Sequence, residues 1–151
     1  MKTQEVIKAL NQALRCEYAG VIQYLQSAQL VQGSDRNLHH SFFEKMSNEC
    51  LKHAYKVGKW LVVLNSVPGV EPGAVRQSTE LTEMFRRGLE LEREAQAAYL
   101  EALAAASDDA ALRFFIEEMV QDERLHIDEF EKLLGMKRLA AATTEKARAR
   151  A

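Results

Sequence analysis

Proline is nearly missing from this chain: two residues in 151, Pro68 and Pro72, both in one stretch. Long segments on either side are therefore free of the residue that breaks helices. Glycine is sparse at seven residues, and the Asn-Gly and Asp-Gly pairs that mark tight hairpins do not occur. Sustained period-two alternation is absent as well, so nothing argues for a sheet. There are two cysteines, Cys16 and Cys50, without Cys-x-x-Cys spacing, which suits free thiols in a reducing cytoplasm. No apolar run approaches the roughly 20 residues that span a bilayer, and the amphipathic start MKTQEVIKALNQAL lacks the apolar centre of a signal peptide. A net charge of −2 gives no reason to expect nucleic acid or an acidic membrane as a partner. The expectation is one cytoplasmic domain, long enough to bury a sizeable core.

What is present is helical periodicity. Four stripes of apolar residues at three- and four-residue steps predict four helices. The first runs from about Thr3, as N-cap, to about residue 32, with Gly33 closing it. Its stripe reads Val6, Leu10, Leu14, Glu17, Val21, Tyr24, Ala28, Val31. The second runs from about Asp35 to before Pro68, with Leu38, Phe42, Met46, Glu49 or Cys50, His53, Val57, Trp60 and Leu64 inside. The third opens at Ser78 or Thr79 and buries Leu81, Phe85, Leu89, Glu92, Ala95, Tyr99 and Ala102. The fourth is capped within residues 107–109, carries Leu112, Ile116, Met119, Glu123, His126, Phe130 and Leu133, and stops at Gly135. The loop around the two Pro-Gly pairs is long enough to carry the chain along the bundle rather than straight back. Residues 1–136 then form the bundle, and 137–151 a basic tail expected to be flexible.

Every stripe is interrupted near its middle by a group that can ligate metal. A Glu three residues before a His shares its helix face, so Glu123 and His126 in QDERLHIDEF (residues 121–130) point together into the apolar side. A carboxylate buried there needs a partner or a proton, and Glu oxygen with His nitrogen suits iron, manganese or zinc. Glu17, Glu49 or Cys50 with His53, and Glu92 lie at the same depth of their helices. Four accidents at one level are improbable. The halves also echo each other: Tyr24 follows Glu17 by seven residues, as Tyr99 follows Glu92. Both are either core tyrosines with bonded hydroxyls or redox-capable neighbours of a metal pair.

Glu from two helices with paired Glu and His from the other two is the ferritin-like di-iron arrangement. Over residues 3–135 the chain resembles the bacterioferritins and their ferritin-like relatives: CEYAGVIQYL resembles the first-helix motif, LKHA the second-helix His segment, LELERE the third-helix Glu, and DERLHID the fourth-helix Glu-x-x-His. The resemblance implies an all-α, antiparallel four-helix bundle with a long connection between helices 2 and 3. It implies iron ligands at Glu17, His53, Glu92, Glu123 and His126, and catalytic roles for Glu17, Glu92 and Glu123 with Tyr24 alongside. Two iron ions per subunit are expected, with manganese or zinc possible, and ferrous iron with O2 or H2O2 as reactants. The implied activity is a ferroxidase serving iron storage or detoxification. The alternatives are a non-storage di-metal oxidase or peroxidase, and a degenerate single-metal or structural bundle.

Three departures bear on this. Cys50 stands where the family has a bridging Glu, three residues before the His. Glu49, four before, lies about 40° to one side of His53 and Cys50 about 60° to the other. Either Glu49 swings in as ligand, the choice favoured because a thiolate beside ferrous iron invites oxidation, or Glu49 mirrors Asp122 as an outer partner of a histidine and Cys50 faces the metal. Leu51 replaces the methionine through which bacterioferritins take haem, and leucine cannot ligate iron, so haem is not expected. The segment after His126 is short, which leaves a homo-oligomer, a dimer or larger, as the expected assembly and puts a 24-subunit cage in doubt.

Overall fold

Each apolar stripe folds as one uninterrupted helix. The computed structural model describes residues 2–142, in which α1 (Thr3–Leu30), α2 (Arg36–Val63), α3 (Leu81–Ala105) and α4 (Ala110–Leu133) make an all-α bundle without strands among the described residues. The stops are those the glycines signal: Gly33 and Gly135 both take positive φ, 107° and 66°. Asn65 plays the same part after α2, with φ 59°.

The starts differ in two places. Thr3 is the first helical residue, and Lys2 precedes it without a side-chain cap. Before α3 the cap is Glu80, not Ser78 or Thr79: its carboxylate accepts from the backbone N–H groups of Thr82 and Glu83 at 3.1 and 2.8 Å. Ser78 is instead engaged one step upstream, where its hydroxyl accepts from the Glu80 N–H. The α4 cap is Asp109, accepting from Leu112 N–H at 2.9 Å.

Side-chain bonds between helices fix the register. Tyr24 of α1 reaches Glu92 of α3, while Tyr99 of α3 reaches Glu17 of α1. Position rises on one helix as it falls on the other, so the two run antiparallel. Ser47 bonding the Val21 carbonyl and His53 facing Glu17 set α2 antiparallel to α1. Lys56 to Glu118 and His53 to Asp122 do the same for α2 and α4. The segment between α2 and α3 climbs along α1: the N–H groups of Gly69, Gly73 and Arg76 donate in turn to Asn11, to the Arg15 carbonyl and to Gln23. Gly73 lies so close that a Cβ there would stand 3.3 Å from the Arg15 oxygen.

The phase of α2 is a correction to the stripe read from sequence. Leu38 is 70% exposed, and the buried positions are Phe43, Met46, Cys50, His53, Val57 and Leu61. The core face thus sits toward Cys50, away from Glu49. Of the basic tail, Lys137 folds back to bind Asp128 and Glu131 at 2.8 and 3.2 Å, and residues 143–151 lie outside the described residues.

At one end of the bundle Tyr24, Phe42, Phe43, Phe85 and Phe130 form a connected layer with ring centroids 5.4–6.3 Å apart. Gly88 is what lets Phe130 in, since a Cβ at that position would meet the ring at 2.5 Å. Phe130 is held by Tyr24 and Phe42 and has little freedom to retreat. Overpacking costs about 1–3 kcal/mol, against about 1 kcal/mol gained by removing a mid-helix glycine. Gly88→Ala is therefore expected to destabilise in urea unfolding. Gly58→Ala, with nothing within 4 Å of its new Cβ, is expected to stabilise by roughly 1 kcal/mol. Equal effects at the two positions would contradict this packing.

Candidate metal centre

Half-way along the bundle the apolar core gives way to Glu17, His53, Glu92 and Glu123, all 1–2% exposed, with His126 at their edge. The periodicity of the helices does the positioning: each of these residues takes the slot of a core leucine. Their ligand atoms fall into two triads, Glu17–His53–Glu123 and Glu92–Glu123–His126, each with all atoms within 4.8 Å of one another. Glu123 belongs to both. Nδ1 of His53 lies 2.9 Å from Glu123 Oε1 and 3.2 Å from Glu17 Oε1. Nδ1 of His126 lies 3.1 Å from Glu92 Oε2 and 3.9 Å from Glu123 Oε2. The two imidazoles are near-parallel, 5.6 Å apart.

The rim of the site holds these groups in place. Nε2 of His53 faces Asp122 Oδ2 at 3.2 Å, a carboxylate that orients the ring and leaves Nδ1 turned inward. The Tyr99 hydroxyl donates to Glu17 at 2.6 Å, and the Tyr24 hydroxyl to Glu92 at 2.5 Å. Each tyrosine thus serves the glutamate of the opposite helix.

Three buried carboxylates this close cannot all stay ionised without cations. Burial, then the charges of Glu92 and Glu17, hold the Glu123 carboxyl well above the usual carboxylate range. Burial also pushes Glu92 up, but the neighbouring Glu123 carboxyl, His126 and Tyr24 bring it below that range. The shared proton therefore rests on Glu123. Burial pushes His53 down, and Glu17, Asp122 and Glu92 more than reverse it. Burial first, and then Glu92 or Glu17, keep both tyrosines firmly as phenols.

Glu123 also supplies the test of whether a metal suits this site. Both of its oxygens are buried with no aligned hydrogen-bond donor, which would cost kilocalories in a finished structure. Two cations, one in each triad, would satisfy both oxygens at once. Carboxylate oxygen with imidazole nitrogen is a donor set for iron, manganese or zinc. The residues fit the group.

Of the six ligands expected first, the structure brings five together: Glu17, His53, Glu92, Glu123 and His126. Glu49 is not among them. Its carboxylate is part-exposed and pairs with Lys52 at 3.1 Å, because the α2 core face lies on its other side. Cys50 is buried instead, its thiol pushed well up by burial and by Glu17, Glu92 and Glu123. Sequence reasoning missed Gly20, which lies opposite that sulfur: a Cβ there would stand 2.4 Å from Cys50 Sγ. The signal was available, as a glycine within an otherwise helical stripe, one turn from Glu17.

Comparison with known proteins agrees with this geometry. The family model for the ferritin-like domain matches residues 7–139. A solved structure, described as ferritin-like, diiron-carboxylate proteins from Bacillus anthracis str. Ames, superposes with a TM-score of 0.85 at 28% identity, covering 89% of this chain and 98% of its own. No curated protein matches the sequence.

Proposed function

The chain belongs to the ferritin-like family, and from that premise we propose that it takes two ferrous ions into the middle of the bundle and oxidises them with O2 or H2O2, as a ferroxidase for iron storage or detoxification. The observation that supports this best is Glu123, a buried carboxylate common to two Glu–His triads with both oxygens lacking donors. Two ferrous ions supply two electrons, enough to take H2O2 with two protons to two waters, so no one-electron radical has to leave. Glu17 and Glu92 serve as the outer carboxylates, His53 and His126 as neutral nitrogen ligands on either side. Tyr24 and Tyr99 hold those carboxylates in place through their hydroxyls.

Buried Leu14, Met46, Leu89, Ile116 and Met119 fill the bundle beside the site. That filling favours a small oxidant over an organic substrate. Exposed Leu51, Tyr55, Val62 and Val63 on the outer face of α2 support self-association, as expected of a homo-oligomer.

Ferrous ion titrated into metal-free protein under air tests the reading. Rapid oxidation of the first two ions per chain, followed by retention of many more, is the expected course. Saturation at two, with no further uptake, would replace storage by a non-storage oxidase. A single bound ion, or no oxidation, would overturn the ferroxidase.

A further inference from the structure

We propose that Cys50 is a sulfur ligand of the metal pair, taking the place of the second shared carboxylate opposite Glu123; this rests on the two-metal reading above. Four observations carry it. First, the register repeats: Cys50 stands three residues before His53 on α2, as Glu123 stands three before His126 on α4. The residues one step earlier repeat too, since Glu49 and Asp122 both lie on the outer side of their helices. The internal symmetry of the bundle thus maps Cys50 onto the one carboxylate that belongs to both triads.

Second, the thiol is placed for it. Cys50 is 3% exposed on the core face of α2, one turn before His53, and the charges of Glu17, Glu92 and Glu123 all act on its thiol. The backbone opposite has been cleared for the sulfur, which sits where only a glycine at position 20 leaves room. Third, the Glu123 oxygens are 1% exposed, belong to both triads and accept no aligned hydrogen bond, an independent sign that a cation belongs there.

Fourth, the charges call for one more anion. Two divalent ions bring +4, and Glu17, Glu92 and Glu123 bring −3. Glu49 is held by Lys52 at the surface, and both tyrosine hydroxyls are committed to the glutamates. A thiolate at Cys50 closes the balance. Forming the sulfur–metal bond breaks the S–H bond and passes its proton to solvent, so no oxidant or reductant is required. The consequence is a site with a softer donor than an all-carboxylate pair, biased toward iron, cobalt and zinc and away from magnesium or calcium.

Cobalt(II) added to the metal-free, full-length protein reads this directly. Visible ligand-field bands report cobalt in the bundle whatever its ligands, whereas a near-ultraviolet charge-transfer band reports sulfur. Wild type and Cys16→Ser are expected to show both, and Cys50→Ser to lose the near-ultraviolet band while keeping the visible ones. Cys16 is a fair control: it is buried beside Gln12, and it lacks the position three residues before a site histidine that pairs Cys50 with Glu123. Visible bands saturating at two equivalents without the near-ultraviolet band would overturn the sulfur ligand and leave the two-metal reading standing. No bands of either kind would overturn both. Should Cys50→Ser fold poorly, X-ray absorption on the zinc-loaded wild type decides: a sulfur neighbour at about 2.3 Å is expected, and a shell of nitrogen and oxygen alone would overturn it.

Discussion

Replacing Glu123 by glutamine is expected to stabilise the metal-free protein and, in the same stroke, to abolish its response to metal. Glutamine keeps the shape and removes the third acid from a site where Glu17 and Glu92 already crowd it. The folded metal-free protein must keep a proton on Glu123 that the unfolded chain gives up. Glutamine, which needs none, removes that cost of about 1–3 kcal/mol at neutral pH, a rise in Tm on the order of 5 °C for a chain of this size. Metal binding moves the other way. Even outer partners of metal ligands cost about 10–100-fold in affinity when lost, and Glu123 is common to both triads, so the loss should exceed that for both ions together. Calorimetry with and without ferrous or zinc ion checks both halves. If the metal-free variant melted lower than wild type, Glu123 would be a satisfied structural carboxylate and the case for cations at this site would fall.

The second large effect is a pH dependence that exists only without metal. Glu123 has its folded pKa raised, so the folded state holds a proton that the unfolded chain releases at about pH 4.3. Its contribution is complete below that pH and is lost as pH rises toward the folded value. His53 is raised too; its contribution is present below about 6.5 and lost as pH climbs through the folded value. Both terms therefore weaken the metal-free protein between about pH 5 and 8. Glu92, lowered, acts in the opposite sense, losing its contribution only as pH falls below the ordinary carboxylate range. Saturating metal replaces those protons with cations. At a free concentration of about 1,000 times Kd one site adds about 4 kcal/mol, or on the order of 10 °C in Tm, and the increment should grow from pH 5 to pH 8. Thermal melts at several pH values, with chelator or with zinc, measure it. A metal-free protein that became more stable across that window would contradict the charge assignment.

Most of this was legible in the chain because burial and chemistry conflict there openly. A carboxylate on an apolar stripe is conspicuous, and Glu17, Glu92 and Glu123 each replace a core residue at mid-helix. The same pattern placed His126 three residues on, and the four separate apolar stripes set the number of helices. The second helix was harder. Leu38, Phe42, Phe43, Met46, Glu49 and Cys50 allow two phases about 100° apart, and the apolar Leu38 pulled the reading toward Glu49. In the fold Leu38 is exposed while Phe43 and Leu61 are buried, which turns Cys50 inward. Packing against α1 at Gly20 decides this, and no single helix carries that information. The α3 start shows the same limit at smaller scale: Ser78, Thr79 and Glu80 are all capable of capping, and which one does so depends on how the incoming loop lies against α1. The crossed pairing of Tyr24 with Glu92 and Tyr99 with Glu17 was visible only as an equal spacing.

A crystal of the protein soaked in ferrous ion, with anomalous scattering collected at the iron edge, asks the central question without any assay. Two peaks in the middle of each chain are predicted, one among Glu17, His53 and Glu123 and the other among Glu92, Glu123 and His126. A bundle whose centre shows no iron, with peaks confined to the surface, would contradict the account.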